Sequence, residues 1–273
     1  MTADFGLRLD WTGGAPIPDT FPSARTGEPF QVGAWSAQLS LDGARPVVNP
    51  AMCVIALLHG HLYGTDAQAL PQLYRQHGSD LGRYLEGSYA LLILDLRGGT
   101  VHAFTDCAGS HKLYAAHDGD HVTLATRADW AGFQPRPLDP AGVAAYLATG
   151  NMFGGLTLHQ GVRALPRASV TDVQRTRLDS RVYWTVEPGP LTGGVTADHT
   201  QELAELLRAA VARRVPAGGE VFLSLSGGYD SRGLLSLLSG SGPRLQTFSY
   251  ALGDQARGSD TSVAARLARQ YGA

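Results

Sequence analysis

The chain has 273 residues, long enough for two domains at ~150 residues each, and its apolar content of 44% with 17% charged residues excludes a disordered chain. A formal net charge of −2 excludes the basic footprint of a protein that binds nucleic acid or an anionic membrane. No apolar run is long enough to span a bilayer and the amino terminus is not basic-then-apolar, so a cytoplasmic protein with neither nucleic acid nor membrane as partner is expected.

Residues 1–30 are rich in Gly, Pro, Thr and Asp and read as irregular, with one strand over 5–9. Alternation of Val32, Ala34, Ser36, Gln38 and Ser40 with Gly33, Trp35, Ala37, Leu39 and Leu41 predicts a strand or hairpin arm over 31–41. A short buried strand over 53–58 runs into His59-Gly60-His61. A helix is expected over 66–77, with Leu70, Leu73 and Tyr74 on one face, continuing helical over 81–85 and breaking at Gly87. The nearly continuous apolar run 88–96 predicts a strand covered on both faces. A strand over 101–106 leads into the turn Cys107-Ala108-Gly109-Ser110-His111. Strands over 113–117 and 121–126 are joined by Asp118-Gly119, a hairpin signal. Cys53 and Cys107 sit in apolar or strand-like settings and read as core thiols, not a disulfide.

The Pro-rich joint 135–140 precedes a short helix over 141–149 and short strands within 156–173, and 187–194 reads as a linker. An amphipathic helix follows over 196–215, with Leu203, Leu206, Leu207, Ala210 and Val211 sharing a face and Thr196 or Asp198 as its cap. A strand over 245–250 and a helix over 262–271 come after the segment 221–235. The resulting division is a strand-rich domain over 1–190 and the start of an α/β domain over 195–273.

Segment 221–235 carries the chemistry. An apolar, β-leaning run ends abruptly in Ser226-Gly227-Gly228, and an apolar helical run follows. Two glycines let the backbone approach an anion closely, and a helix start offers unpaired N–H groups at the positive end of a dipole. Ser226 and Ser231 add hydroxyl donors, while Asp230 is suited to hold a magnesium ion against phosphates. Neither G-x-x-x-x-G-K-[ST] nor G-x-G-x-x-G occurs. A Gly-Gly turn with a serine cap is the plainer alternative, but the flanking strand and helix favour the nucleotide reading. Leu225, Ser226, Gly227, Gly228, Asp230 and Ser231 are the candidate nucleotide-binding residues, with Asp230 the metal candidate.

The pattern Ser226-Gly-Gly-x-Asp230-Ser231 resembles the pyrophosphate loop of the ATP pyrophosphatases. Leu85-Glu86-Gly87-Ser88-Tyr89-Ala90, Thr105-Asp106-x-x-Gly109-x-x-Lys112-Leu113-Tyr114 and Leu124-Ala125-Thr126 resemble, in order and spacing, segments of the asparagine synthetase family. So do Leu138-Asp139-Pro140 through Tyr146-Leu147, Gly150, Thr157-Leu158, Gly161-Val162, Leu165 and Tyr183-Trp184. That family includes the β-lactam synthetases and lasso-peptide macrolactam cyclases. The resemblance implies an α+β and α/β chain. Its first part would be an αββα sandwich of the N-terminal-nucleophile amidotransferase kind, followed by the start of a parallel-sheet ATP pyrophosphatase (PP-loop) domain. It implies ATP and Mg2+ as cofactors and a small-molecule or peptide carboxylate substrate, adenylated and then attacked by an amine. Tyr250 is implied to line the adenine pocket. Arg232 either reaches a phosphate or is a solvated first-turn arginine, and Asp260 resembles an acidic residue opening the next helix, with capping as the simpler role.

Several positions depart from the family. The chain begins Met1-Thr2-Ala3, with no cysteine after the methionine, and His59-Gly60-His61 stands where the family has the glutamine-holding Asn-Gly-Glu. Loss of glutaminase activity is therefore expected. His59 and His61 share a strand face but have no evident partner for a metal, so packed or solvated histidines are expected; His117 and His121 flank a turn and cannot form a helical metal pair. Asp106 and Lys112 are expected to be a turn cap and a paired charge. The family's synthetase domain carries a catalytic lysine further downstream, whereas Lys112 is the only lysine here, so no catalytic residue is assigned. A partner chain completing the synthetase domain, or a truncated product, is expected, and a homodimer is compatible. The leading reading is an ATP-dependent amide-forming ligase. Glutamine-dependent asparagine synthesis by a fuller form and a non-catalytic nucleotide-binding scaffold are the alternatives.

Overall fold

The computed structural model describes residues 4–11, 29–32, 35–129, 136–189, 194–215, 218–239, 244–250 and 259–273. Residue contacts divide it into two units, Met1–Pro188 and Gly189–Ala273. Most of the stretch expected to be irregular at the amino terminus, and part of the expected linker, lie outside the described residues.

The first unit opens with β1 (Asp4–Asp10), β2 (Pro29–Val32), β3 (Trp35–Asp42), β4 (Val47–Asn49) and β5 (Val54–Leu62). A 3-10 turn (Ala67–Ala69) leads into α1 (Leu70–His77), and a 3-10 stretch (Gly78–Tyr84) leads into β6 (Gly87–Asp95) and β7 (Thr100–Thr105). The hairpin β8 (Tyr114–Asp118) and β9 (His121–Ala125) follows, then α2 (Pro140–Thr149), β10 (Val162–Ala164), β11 (Ser169–Val173) and β12 (Leu178–Val182). The strands form two antiparallel sheets of six, ordered β10-β8-β9-β1-β3-β2 and β12-β11-β7-β6-β5-β4.

One core joins Phe5, Leu7 and Leu9 of β1 to Ile55, Leu57, Ala90, Leu92 and Leu94, and so lies between the sheets. A second core takes the alternate residues Val54, Ala56, Tyr89, Leu91 and Ile93 and packs them against Leu70 and Tyr74 of α1 and against Leu81. Successive strand residues point to opposite faces, so a strand with a sheet on one side and a helix on the other must be apolar throughout. This is why β6 reads as a continuous apolar run. The first unit is thus an α+β sandwich, two facing sheets with α1 packed behind the second.

The helix expected over 66–77 becomes α-helical only at Leu70; Asp66 caps the preceding 3-10 turn by accepting from Gln68. Pro71 falls in the first helical turn, where its missing N–H costs nothing. The expected continuation over 81–85 is a 3-10 stretch, because the chain leaves the α conformation at Gly78 (φ 55°). Strand β12 has no counterpart in the sequence reading. Its residues are half-buried or exposed, so no alternation marks it, and it forms by pairing with β11.

The second unit contains α3 (Ala197–Arg214), β13 (Glu220–Ser224), α4 (Tyr229–Leu238), β14 (Arg244–Phe248) and α5 (Asp260–Tyr271). β13 and β14 are parallel, with Ser224 opposite Phe248, and α4 lies between them in the chain. Leu223, Leu225, Leu235, Leu238 and Ala264 form the core. Thr196 caps α3 in a reciprocal box with His199. The apolar face expected on α3 is largely uncovered: Leu203, Leu206 and Leu207 are all exposed, while Val211 at its far end packs on the core.

Candidate nucleotide site

The loop after β13 is held from both ends. Leu225 is buried, its N–H donates to Phe248 O at 2.9 Å, and the Ser249 hydroxyl donates back to Leu225 O. These bonds fix the loop to the carboxyl end of the parallel pair, the end at which open α/β sheets bind ligands. Inside the loop, Ser226 N donates to Ser231 Oγ at 3.1 Å and the two hydroxyls lie 2.9 Å apart. Gly228 N donates to Ser226 Oγ at 3.2 Å. The two serines therefore close the loop across the start of α4, placing both hydroxyls at its mouth.

Gly228 is the N-cap of α4 and supplies no side-chain cap. Tyr229 and Asp230, the first residues of that helix, have no carbonyl one turn back to bond, which leaves their N–H groups available to a ligand. Asp230 is exposed in this first turn. Gly227 is required by contact: a Cβ there would stand 3.0 Å from Asp260 Cα and overlap the Asp260 carboxylate. Asp260 does not cap α5; Ser259 does, accepting from Ser262 N, and this leaves Asp260 beside the loop. Hence the Asp260 carboxylate, the two hydroxyls and the helix-start amides lie at the loop, with Asp230 exposed in the first turn of α4. That donor set fits a nucleotide phosphate bridged by a divalent cation.

Tyr250 lies two residues beyond β14, at the loop's end of the sheet, with its side chain 86% exposed. Arg232 also lies at the loop: its Nε donates to Gly228 O at 3.3 Å and its guanidinium sits 4.3 Å from the centre of the Tyr229 ring. Asp260's approach to Gly227 was not legible in the sequence, since more than thirty residues separate them. The glycine pair was the one signal that something packs closely there.

In the first unit, His59-Gly60-His61 belongs to β5. His59 is buried, with Nδ1 3.5 Å from Asp4 Oδ1 and its ring edge-on to His111 at 4.5 Å. Burial, followed by the neighbouring His59, holds the His111 imidazole below its ordinary pKa, although Asp106 pulls the other way. His61 is exposed, and among the described residues no cluster of His, Cys, Asp and Glu is arranged to hold a metal. His117 and His121 lie on the two arms of the β8–β9 hairpin. Asp106 is a turn cap as expected, accepting from the N–H groups of Ala108, Ser110 and Tyr89. Lys112, expected in an ion pair, makes none among the described residues. It lines a cleft of about 1010 Å³ with Tyr114, Phe153, Leu156 and Arg167 that includes no loop residue. Cys53 and Cys107 are free thiols.

Two family models match in tandem, glutamine amidotransferase domain over residues 57–184 and asparagine synthase over residues 202–273. In that order the two matches make the chain similar to the asparagine synthetase family. Carboxyethyl-arginine beta-lactam-synthase of Streptomyces clavuligerus is 29% identical over 206 residues, covering 75% of this chain and 37% of that protein. The glutamine-hydrolyzing asparagine synthetase of Asparagus officinalis is 25% identical over 89 residues, covering 27% of this chain and 15% of that protein. The chain thus spans well under half the length of these curated relatives. Glutamine phosphoribosylpyrophosphate amidotransferase from B. subtilis, complexed with ADP and GMP, has 11% identity, a TM-score of 0.35 and coverage of 89% of this chain and 59% of that one. At that TM-score the likeness adds nothing to the argument. Among the described residues, no helix is long and apolar enough to cross a membrane.

Proposed function

We propose that this chain is the nucleotide-binding part of an ATP-dependent ligase that activates a carboxylate as an acyl adenylate, releases pyrophosphate and forms an amide without using glutamine. The observation that carries this is the closed Ser226–Ser231 loop, with Asp260 packed on Gly227 and Asp230 exposed beside it. In this reading Ser226, Ser231 and the first amides of α4 hold the phosphates, and Asp230 holds Mg2+, with Asp260 beside Gly227 of the same loop. Bound ATP supplies the leaving group that a carboxylate lacks. The loop's part is positioning and charge neutralisation, which provide most of the rate in phosphoryl and adenylyl transfer. Leu225 anchors the loop, and Tyr250 is the side chain assigned to the adenine.

The amide nitrogen comes from the substrate's own amine or from free ammonia. Supporting this, the segment that would clamp glutamine's ammonium carries two histidines and no acid, and the buried one is turned to Asp4 and His111. In this reading a partner chain packs on the second unit. The second unit leaves Phe222 64% and Phe248 52% exposed on its sheet, a surface suited to that contact.

The test is calorimetric titration of Mg·ATP into the full chain. Micromolar binding by the wild type and a loss of about 10-fold or more in Asp230→Ala are expected, the range for a charge-assisted contact. Unchanged affinity in the variant would remove Asp230 from the site. With glutamine supplied, ammonia release is expected to stay at background; release above it would restore the glutamine-dependent reading.

A further inference from the structure

We infer that Arg232 is the side-chain cation of the phosphate cradle, held ready by Tyr229 to meet the polyphosphate of the bound nucleotide. This inference rests on the nucleotide reading of the loop and assigns a charge that the loop otherwise lacks. The segment from Ser224 to Ser231 contains no basic residue, and the chain's only lysine belongs to the first unit. A triphosphate bound by hydroxyls, amides and one magnesium ion would keep uncompensated negative charge.

The position of Arg232 is unusual for a residue with only a structural role. As the fourth residue of α4 it could extend along the helix to solvent. Instead it folds back toward the amino end, with Nε on Gly228 O at 3.3 Å and the guanidinium 4.3 Å over the Tyr229 ring. A cation at a helix amino terminus opposes the dipole and is unfavourable for the helix itself. No ion pair offsets it among the described residues. Tyr229 is 86% exposed, so its ring contributes almost nothing to the core, and it lies under the Arg232 guanidinium. Both features make sense if an anion completes the arrangement. Nε is spent on Gly228, which orients the two terminal nitrogens as a planar fork, the geometry that matches phosphate oxygens. Tyr229 is then a positioning residue: it limits the arginine's rotamers before the ligand arrives.

The experiment titrates Mg·ATP, Mg·pyrophosphate and AMP into the full chain and its Arg232→Ala, Arg232→Lys and Tyr229→Leu variants, with far-ultraviolet dichroism confirming the fold. Arg232→Ala should weaken ATP and pyrophosphate by about 10- to 100-fold and AMP by much less, because the contact is to the polyphosphate. Arg232→Lys should recover part of the loss. Tyr229→Leu, which keeps the charge but not the stack, should cost about 3-fold. The salt dependence of ATP binding should flatten in Arg232→Ala and persist in Tyr229→Leu. Wild-type ATP affinity in Arg232→Ala, while Asp230→Ala still loses binding, would overturn the inference and leave the nucleotide reading intact. An equal loss for AMP and ATP would also overturn it, by making Arg232 a support of the loop alone. Failure of the folded wild type to bind either ATP or pyrophosphate would overturn both.

Discussion

At the scale of single residues, the strongest electrostatic commitment in the first unit is structural. Asp95, at the end of β6, accepts from Arg75 of α1 through both oxygens, at 2.6 and 2.8 Å, and from the amides of Arg97 and Gly98. Burial pushes the Asp95 carboxyl up. The Arg75 guanidinium and those two amides outweigh it, so the group sits below the ordinary carboxylate value. A carboxyl depressed in the fold contributes stability above its unfolded pKa of about 4, and that stability is lost as pH falls through the lower folded value. Asp95→Asn keeps the shape but leaves the guanidinium only the Met52 carbonyl. It should cost about 2–4 kcal/mol at pH 7, read from urea midpoints, and the gap to wild type should narrow as the pH is lowered to about 3. A gap independent of pH would mean the charge is not what holds α1 to the sheet. By contrast, Asp106 serves its own turn, and the sequence showed that role because cap and turn are adjacent in the chain.

Elements differ in how much of themselves they disclose. β6 was legible because both of its faces are dry and every residue had to comply. β12 was not, since an edge strand with polar, exposed residues is specified only by its partner. The α3 pattern was read as an amphipathic helix; periodicity reports which residues could be covered, and Leu203 and Leu206 remain open. The nucleotide loop was legible because its bonds are local: Ser226 and Ser231 are five residues apart. Asp260 escaped because its contact is long-range. Gly60 in β5 shows the same limit. Its φ of +103° and its neighbours, the Ser88 carbonyl and the His111 ring at 2.7 Å from a notional Cβ, forbid a side chain. Gly60→Ala should therefore destabilise the first unit by about 2–4 kcal/mol, combining backbone strain with a clash. A thermal midpoint within a degree of wild type would show that the strand relaxes there at little cost.

For the molecule as a whole, the two units differ in how much core they possess. In the first, Ile55, Leu57, Leu91, Leu92, Ile93 and Phe104 are fully buried between or behind two six-stranded sheets. In the second, five buried side chains among the described residues support a two-stranded parallel sheet and its helices. Sheets of two strands are marginal without further cover, and apolar burial is the main source of stability, so the second unit should open at lower free energy. Hydrogen exchange followed by mass spectrometry should show the slowest amides in β5, β6 and β7 and markedly faster exchange in β13 and β14. Mg·ATP gives this experiment a functional reading. A ligand at 100 times its Kd stabilises the state it binds by about 2.7 kcal/mol, so protection should rise across Leu225–Ser231 and α4 while β5–β7 stay as they were. Equal protection of both units without ligand would show that they unfold together. Protection by ATP in the first unit but not at the loop would place the nucleotide elsewhere and end the assignment of Ser226, Asp230 and Ser231.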